Sequence, residues 1–251
     1  MGVLGHYIEE EGIPTAGISL IRPHTEKVRP PRALWVPFQL GHPLGAPNDP
    51  AFQRRVLTAQ LELLESPGPA PVLEDFPDDE PENDDVTVLA CPVNFGKLAG
   101  EETEDCDAML TALRREIAAL RPWYEVSVAT RGRTTVGVSG LPIEKLADFI
   151  YAYACSETPP DPGAGVSPAF VLKNAVEDLK AYYIEGITAQ PGQETTSSKV
   201  LQDWFWDDTV AGDVLFKLKQ ACEKRDDPEL SMMGKFFMVP GDVARRKAAA
   251  G

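Results

Sequence analysis

All three histidines of this 251-residue chain, His6, His24 and His42, fall within its first 42 residues. Imidazole takes and gives protons near neutral pH and ligates metals. His24 and His42 each follow a short apolar run, Ile13 to Ile21 and Ala33 to Phe38. Both runs are β-branched or aromatic and bounded by Gly, Pro and charged residues, as buried strands are. The first ends in Arg22, Pro23, His24, Thr25, Glu26 and Lys27, the second in Gln39, Gly41, His42, Pro43, Gly45, Pro47 and Asn48. In open α/β sheets ligands bind beyond the carboxyl ends of the strands. These loops are therefore the expected site for a small-molecule substrate. His42 and His24 are its acid–base candidates, Thr25 and Glu26 position substrate, and Gly41 and Gly45 let backbone approach it. Ordinary cap histidines and turn glycines account for the same residues, and the histidine spacing matches no metal motif, so no metal is assigned.

Cys91 is the candidate nucleophile, because it ends a predicted strand, Val86 to Ala90, and opens into Pro92, Val93, Asn94, Phe95 and Gly96. Reactivity needs a nearby cation or helix N-terminus to lower the thiol pKa, and a plain buried cysteine is the alternative. Cys106, Cys155 and Cys222 sit in or beside predicted helices and read as structural. Arg131 and Arg133 flank Gly132 and could hold a substrate carboxylate bidentately, or simply form a solvated hairpin tip. No GxGxxG, Walker A, HExxH or GxSxG pattern occurs, which argues against the standard nucleotide, zincin and hydrolase chemistries.

The elements that must hold these groups follow from periodicity. Val3 to Glu11 predicts a helix feeding the first strand, while Arg22 to Arg32, with three prolines, leaves little room for a crossover helix. Asn48 or Asp49 caps a helix opening at Pro50 and ending near Ser66. Residues 67–85, proline-rich and acidic, read as an extended linker. Asp107 to Leu120 predicts a helix and Glu125 to Ser139 a hairpin turning at Gly132. Helices follow from Pro142 to Cys155, from Pro168 to about Gln190, from Ser198 to Lys224, and from Pro228 to Met238. Trp204, Phe205 and Trp206 are consecutive and cannot all face one way on an α-helix.

The expected fold class is α/β, α+β overall. A partial Rossmann-like parallel sheet in residues 1–66 is joined by the acidic linker 67–85 to a mainly helical domain with a hairpin, 86–243, and a frayed tail, 244–251. A net charge of −15 argues against general affinity for nucleic acid or anionic membrane, although residues 74 to 85 alone hold eight acidic side chains and no basic one. Four widely spaced cysteines without a CxxC pair, no secretory leader pattern and no long apolar run read as a reduced cytoplasmic protein.

Residues 4 to 65, with EEEGIPTAGISL, the loop around His24 and Thr25, and VPFQLGHPLGAPNDPAFQRRVL, resemble the C-terminal part of selenoprotein B. That protein is the substrate-binding subunit of the glycine, sarcosine and betaine reductases, and D-proline reductase is related. From residue 86 on, the chain resembles a bacterial group related to that family, from which no chemistry carries over. The resemblance implies reductive cleavage of an activated C–N bond of a small amino acid or amine-derived substrate by a selenol or thiol. The family's UxxCxxC-like motif has no counterpart in this sequence, so no cofactor is evident. A thiol reductant or a partner-borne cysteine or selenocysteine centre is implied instead. Two strands and two short helices also leave sheet edges unpaired. Val86 to Ala90 and the hairpin, or a second protein subunit, are expected to complete the sheet. A non-catalytic assembly or binding subunit is the alternative function.

Overall fold

The computed structural model describes residues 2–66, 68–79, 106–156, 165–191 and 198–250. The chain forms two compact units, Met1–Asn83 and Asp84–Gly251. It is an α/β fold with a small parallel sheet in the first unit and a helical second one.

In the first unit, α1 (Gly2–Glu10) precedes β1 (Gly17–Ser19), α2 (Arg22–Val28), β2 (Arg32–Trp35), α3 (Pro50–Glu62) and β3 (Val72–Asp75). The strands pair in parallel in the order β1-β2-β3, with Gly17 opposite Ala33 and Ala33 opposite Leu73. Two expectations fail here. The segment between the first two strands does hold a helix, because Pro23 falls in the first turn of α2, where its missing N–H costs nothing. Arg29 then closes that helix in the left-handed conformation. The stretch read as linker supplies β3, since Val72 and Leu73 are apolar enough to add to β2 before the acidic run begins. The third strand thus comes from within the unit. The predicted hairpin does not join it, and Val86 to Ala90 lie outside the described residues.

Asp49 caps α3 as its sequence predicts, accepting from the Phe52 N–H at 3.0 Å with Pro50 behind it. One face of the sheet packs Leu34 and Val36 against Phe52, Val56 and Leu63 of the α3 segment. Phe38, Phe52 and Phe76 meet there as a triad with centroids 5.4 to 5.9 Å apart. The HPLG turn folds over this triad. Gly45 has φ +83°, and a Cβ there would stand 2.6 Å from the Phe52 ring.

The second unit holds α4 (Cys106–Arg131), α5 (Ile143–Cys155), α6 (Pro168–Thr188), α7 (Ser198–Asp203), α8 (Val210–Glu223), α9 (Pro228–Phe236) and α10 (Gly241–Ala250). α6 is its centre, burying Leu172, Val176, Leu179, Tyr182, Tyr183 and Ile187 against its neighbours.

The expected hairpin is absent. Residues 125–131 continue α4 past Pro122, and 132–140 form a loop strapped to α6. Asp178 accepts from the Gly137, Val138 and Ser139 N–H groups at 2.8 to 3.0 Å, and Glu185 accepts from the Thr135 N–H and the Thr134 and Thr135 hydroxyls at 2.7 to 2.8 Å. Alternation alone could not foresee these two carboxylates, seven residues apart on one face of α6.

The helix expected over Ser198 to Lys224 is broken by a π-helical turn, Trp204–Asp208, after which Thr209 caps α8. The wider turn lets Trp204, Phe205 and Trp206 all be buried. The tail is helical rather than frayed, since Val243 is buried and Arg246 pairs with Asp203 and Asp207 at 2.7 and 3.1 Å. Cys106 and Cys155, read as reduced thiols, are joined in a disulfide.

Candidate functional site

A cavity of about 480 Å³ lies against β1 in the first unit, walled by α1, α2 and the segment leading into β2. Its floor is small and apolar at Gly17 and Ala33, which share one face of the sheet in register. Leu4, Gly5 and Ile8 of α1 form one wall, and Leu40 reaches in from the loop after β2. Leu4, Ile21 and Leu40 at its edge are exposed, Leu40 by 73 %.

The polar groups of the wall are few. Ser19 and Thr25 share a short hydrogen bond, and the buried Thr25 hydroxyl donates to the Ile21 carbonyl at 3.0 Å, so the Ser19 proton points its bond at Thr25. Among the described residues, the Ser19 hydroxyl is partnered by Thr25 rather than by a base. His24 is exposed at the margin.

Arg32 is the remaining ionisable group of the wall. Its Nη1 donates to Glu9 Oε1 at 2.6 Å, which ties α1 to β2, while its Nε is buried without a hydrogen-bond partner. Glu9 also accepts from the Thr15 N–H at 2.8 Å and hydroxyl at 3.0 Å. Burial pushes the Glu9 carboxyl up, but these bonds and the Arg32 charge outweigh it and leave its pKa lowered.

The sequence-predicted residues divide accordingly. His24 and Thr25 belong to the cavity wall. Glu26 turns aside to pair with Arg22, whose Nε also donates to Asp75 at the end of β3 at 3.0 Å. His42, Gly41 and Gly45 lie in the turn after β2, where the His42 N–H donates to the Gln39 carbonyl and the Gly45 N–H to that of His42, each at 3.0 Å. They are not among the wall residues of the cavity. His6 Nε2 lies 2.8 Å from the Arg29 carbonyl. Arg131 and Arg133 belong to the second unit, where Arg131 Nη2 donates to Thr188 Oγ1 at 3.1 Å and Arg133 is exposed. Among the described residues, no group of three His, Cys, Asp or Glu side chains is arranged to hold a metal ion.

The thiols follow a different plan from the one expected. Cys91 lies outside the described residues. Cys106 and Cys155 are bonded to each other. Cys222 is buried, and burial pushes its thiol up to about 11, which keeps it protonated at neutral pH.

Sequence reasoning missed Arg32, Ser19 and the contribution of α1. A charged residue set directly between Pro31 and an apolar run was the available signal for Arg32. Nothing local marks α1 as a wall, because its side chains meet β1 only through the tertiary fold. Comparison of the chain with protein-family models, curated proteins and solved structures returns no match.

Proposed function

We propose that the first unit binds a small carboxylate-bearing substrate, an amino acid or amine derivative, as one subunit of a thiol- or selenol-dependent reductase-like complex. The observation that carries this reading is Arg32, a cationic side chain in the wall of a largely apolar cavity. A guanidinium can hold a ligand carboxylate through paired N–H groups. The small floor at Gly17 and Ala33 suits a short ligand body. No cysteine occurs before Cys91, so a thiol that attacks the bound substrate comes from outside the first 90 residues. Cys91 or a partner chain bearing the main redox group fills that role, and the resemblance to selenoprotein B supports the partner. In the cleavage, the attacking thiolate forms a bond to carbon as the C–N bond breaks, and the departing amine takes a proton. His24 at the margin is the group that can supply it. The proposed location is the cytoplasm, the reading made from the cysteine spacing; among the described residues no helix is long and apolar enough to cross a membrane.

Calorimetric titration with glycine, sarcosine, betaine and proline tests the reading. One of these carboxylates is expected to bind the wild type, with affinity falling at least tenfold in Arg32→Gln, about the 1.4 kcal/mol that separates decades, and less in His24→Ala. A melting curve of each variant separates lost binding from lost folding. No binding by any of the four, or equal binding by folded Arg32→Gln, overturns it.

A second reading, a non-catalytic assembly subunit, is favoured by the exposed Leu4, Ile21 and Leu40 beside an edge strand, β1. Substitution of Leu40 by Asp would then abolish co-purification with a partner, and the wild-type chain would bind none of the four carboxylates.

A further inference from the structure

The disulfide of the second unit lies in an environment suited to exchange. It joins Cys106, the first residue of the 26-residue α4, to Cys155, the last residue of α5, with Cα atoms 6.4 Å apart. A thiolate on Cys155 meets the carbonyl end of α5, so Cys106 is the better leaving group of the two.

The surroundings of Cys155 share this asymmetry. A cavity of about 850 Å³ is lined by Cys155, Ser156, Lys224 and Arg225, with Asp226 and Asp227 also in its wall. Arg225 Nη2 donates to the Tyr153 carbonyl at 3.1 Å and the Ser156 carbonyl at 2.7 Å, which fixes a guanidinium at the end of α5. Asp227 is occupied as the cap of α9, accepting from the Glu229 and Leu230 N–H groups at 2.8 and 3.0 Å. Lys224 is exposed at the cavity. An anionic thiolate entering there finds the Arg225 guanidinium fixed at the end of α5 and Lys224 in the same wall, opposed by Asp226 and Asp227.

We propose that Cys106–Cys155 is a redox-exchanging disulfide that accepts two electrons from thiols arriving through this cavity. The incoming thiolate bonds to Cys155 Sγ, the Cys155–Cys106 bond breaks, and Cys106 leaves as a thiolate. A second thiol of the reductant then attacks the mixed disulfide, releasing Cys155 and the oxidised reductant, and the two protons of the reductant pass to the protein thiols or to water. The reductant is a dithiol or two molecules of a monothiol. Opening the bond frees the start of α4 from the end of α5. Cys222 takes no part, being buried and protonated. The inference is independent of the ligand cavity in the first unit.

The test uses the full chain and glutathione. Folded protein is pulsed with reduced glutathione, quenched with iodoacetamide and mapped by mass spectrometry. Opening without denaturant is expected, with glutathione on Cys155 and carbamidomethyl on Cys106. Lys224→Glu is expected to slow opening by glutathione severalfold and opening by dithiothreitol less, since the glutathione thiolate carries the larger negative charge, and a melting curve shows that the variant is folded. A disulfide that opens only in denaturant, glutathione found on Cys106, or equal slowing with both reductants overturns the proposal.

Discussion

Glu116 is a buried carboxyl group, only 3 % exposed beneath the aromatic cluster of the helical unit. Its Oε1 accepts from the Val210 N–H at 2.8 Å, and its Oε2 accepts from the Tyr183 hydroxyl at 2.8 Å and the Ala211 N–H at 3.2 Å. Burial nevertheless dominates and pushes the carboxyl up to about 7 from an ordinary 4.5. Since the folded pKa is the higher, the folded state binds the proton more tightly. The resulting stabilisation is fully present below the unfolded pKa and is lost as pH rises through about 7. The full swing is on the order of 3 kcal/mol. Melting temperatures measured from pH 5 to 8 are expected to fall more steeply for the wild type than for Glu116→Gln, which cannot titrate; parallel curves would show that the burial effect is offset. Tyr183 is tied to the same network, and its hydroxyl is held well above its usual range by burial and the Glu116 charge. Both residues are engaged in closing the N-terminus of α8, which accounts for them as structure rather than catalysis.

At the scale of elements, the loop 132–140 shows how a helix can organise a segment with no regular structure of its own. Three successive N–H groups converge on Asp178, and a fourth finds Glu185. Burial raises the Glu185 carboxyl, but the Thr135 N–H, the two threonine hydroxyls and Arg131 outweigh it and leave its pKa lowered. That contribution is present above the ordinary carboxylate pKa and is lost as pH falls below it. Asp178→Asn leaves at least one donor facing another donor, since an amide has one acceptor oxygen where the carboxylate has two. It is expected to cost about 1–3 kcal/mol and to speed hydrogen exchange at Gly137, Val138 and Ser139 far more than in the core of α6. Unchanged exchange at those amides would mean that the loop is held by other contacts. The π turn at Trp204–Asp208 is a comparable local solution: Gly212 lies against it so closely that a Cβ would stand 2.5 Å from the Phe205 carbonyl.

For the whole molecule, charge is the dominant property. With 39 acidic against 24 basic side chains, repulsion between like charges opposes the compact state. Exposed ion pairs such as Arg114–Asp148 and Arg121–Glu144 offset little of it, since each contributes about 0–1 kcal/mol. Added salt screens both effects within about 10 Å at 0.1 M. A net charge of −15 remains however the basic side chains are paired, so the melting temperature is expected to rise between low and physiological ionic strength. A fall would mean that the pairs outweigh the repulsion.

Periodicity and capping made most of the helices legible without a structure. Ser167 with Pro168, Asp49 with Pro50 and Asp227 with Pro228 each mark a helix start by a local rule, because a capping side chain reaches only three residues ahead. The parallel pairing of β1 and β2 was expected although their connection leaves little chain for a crossover, and the short α2 fits into it. Position in space was not legible. Val72 to Asp75 became a strand because β2 offered an open edge, against a proline-rich context that locally favours extended chain alone. The alternation of residues 125 to 139 lost to the continuation of α4 and to two carboxylates on α6, partners some 40 to 50 residues away. The cavity followed the same logic: His24 and Thr25 were found by their loop, but Arg32 and the α1 wall come together only when Glu9 of α1 meets Arg32 at the start of β2. Local rules act over one helical turn or one strand pair, whereas sites and disulfides join residues that only the folded chain makes neighbours.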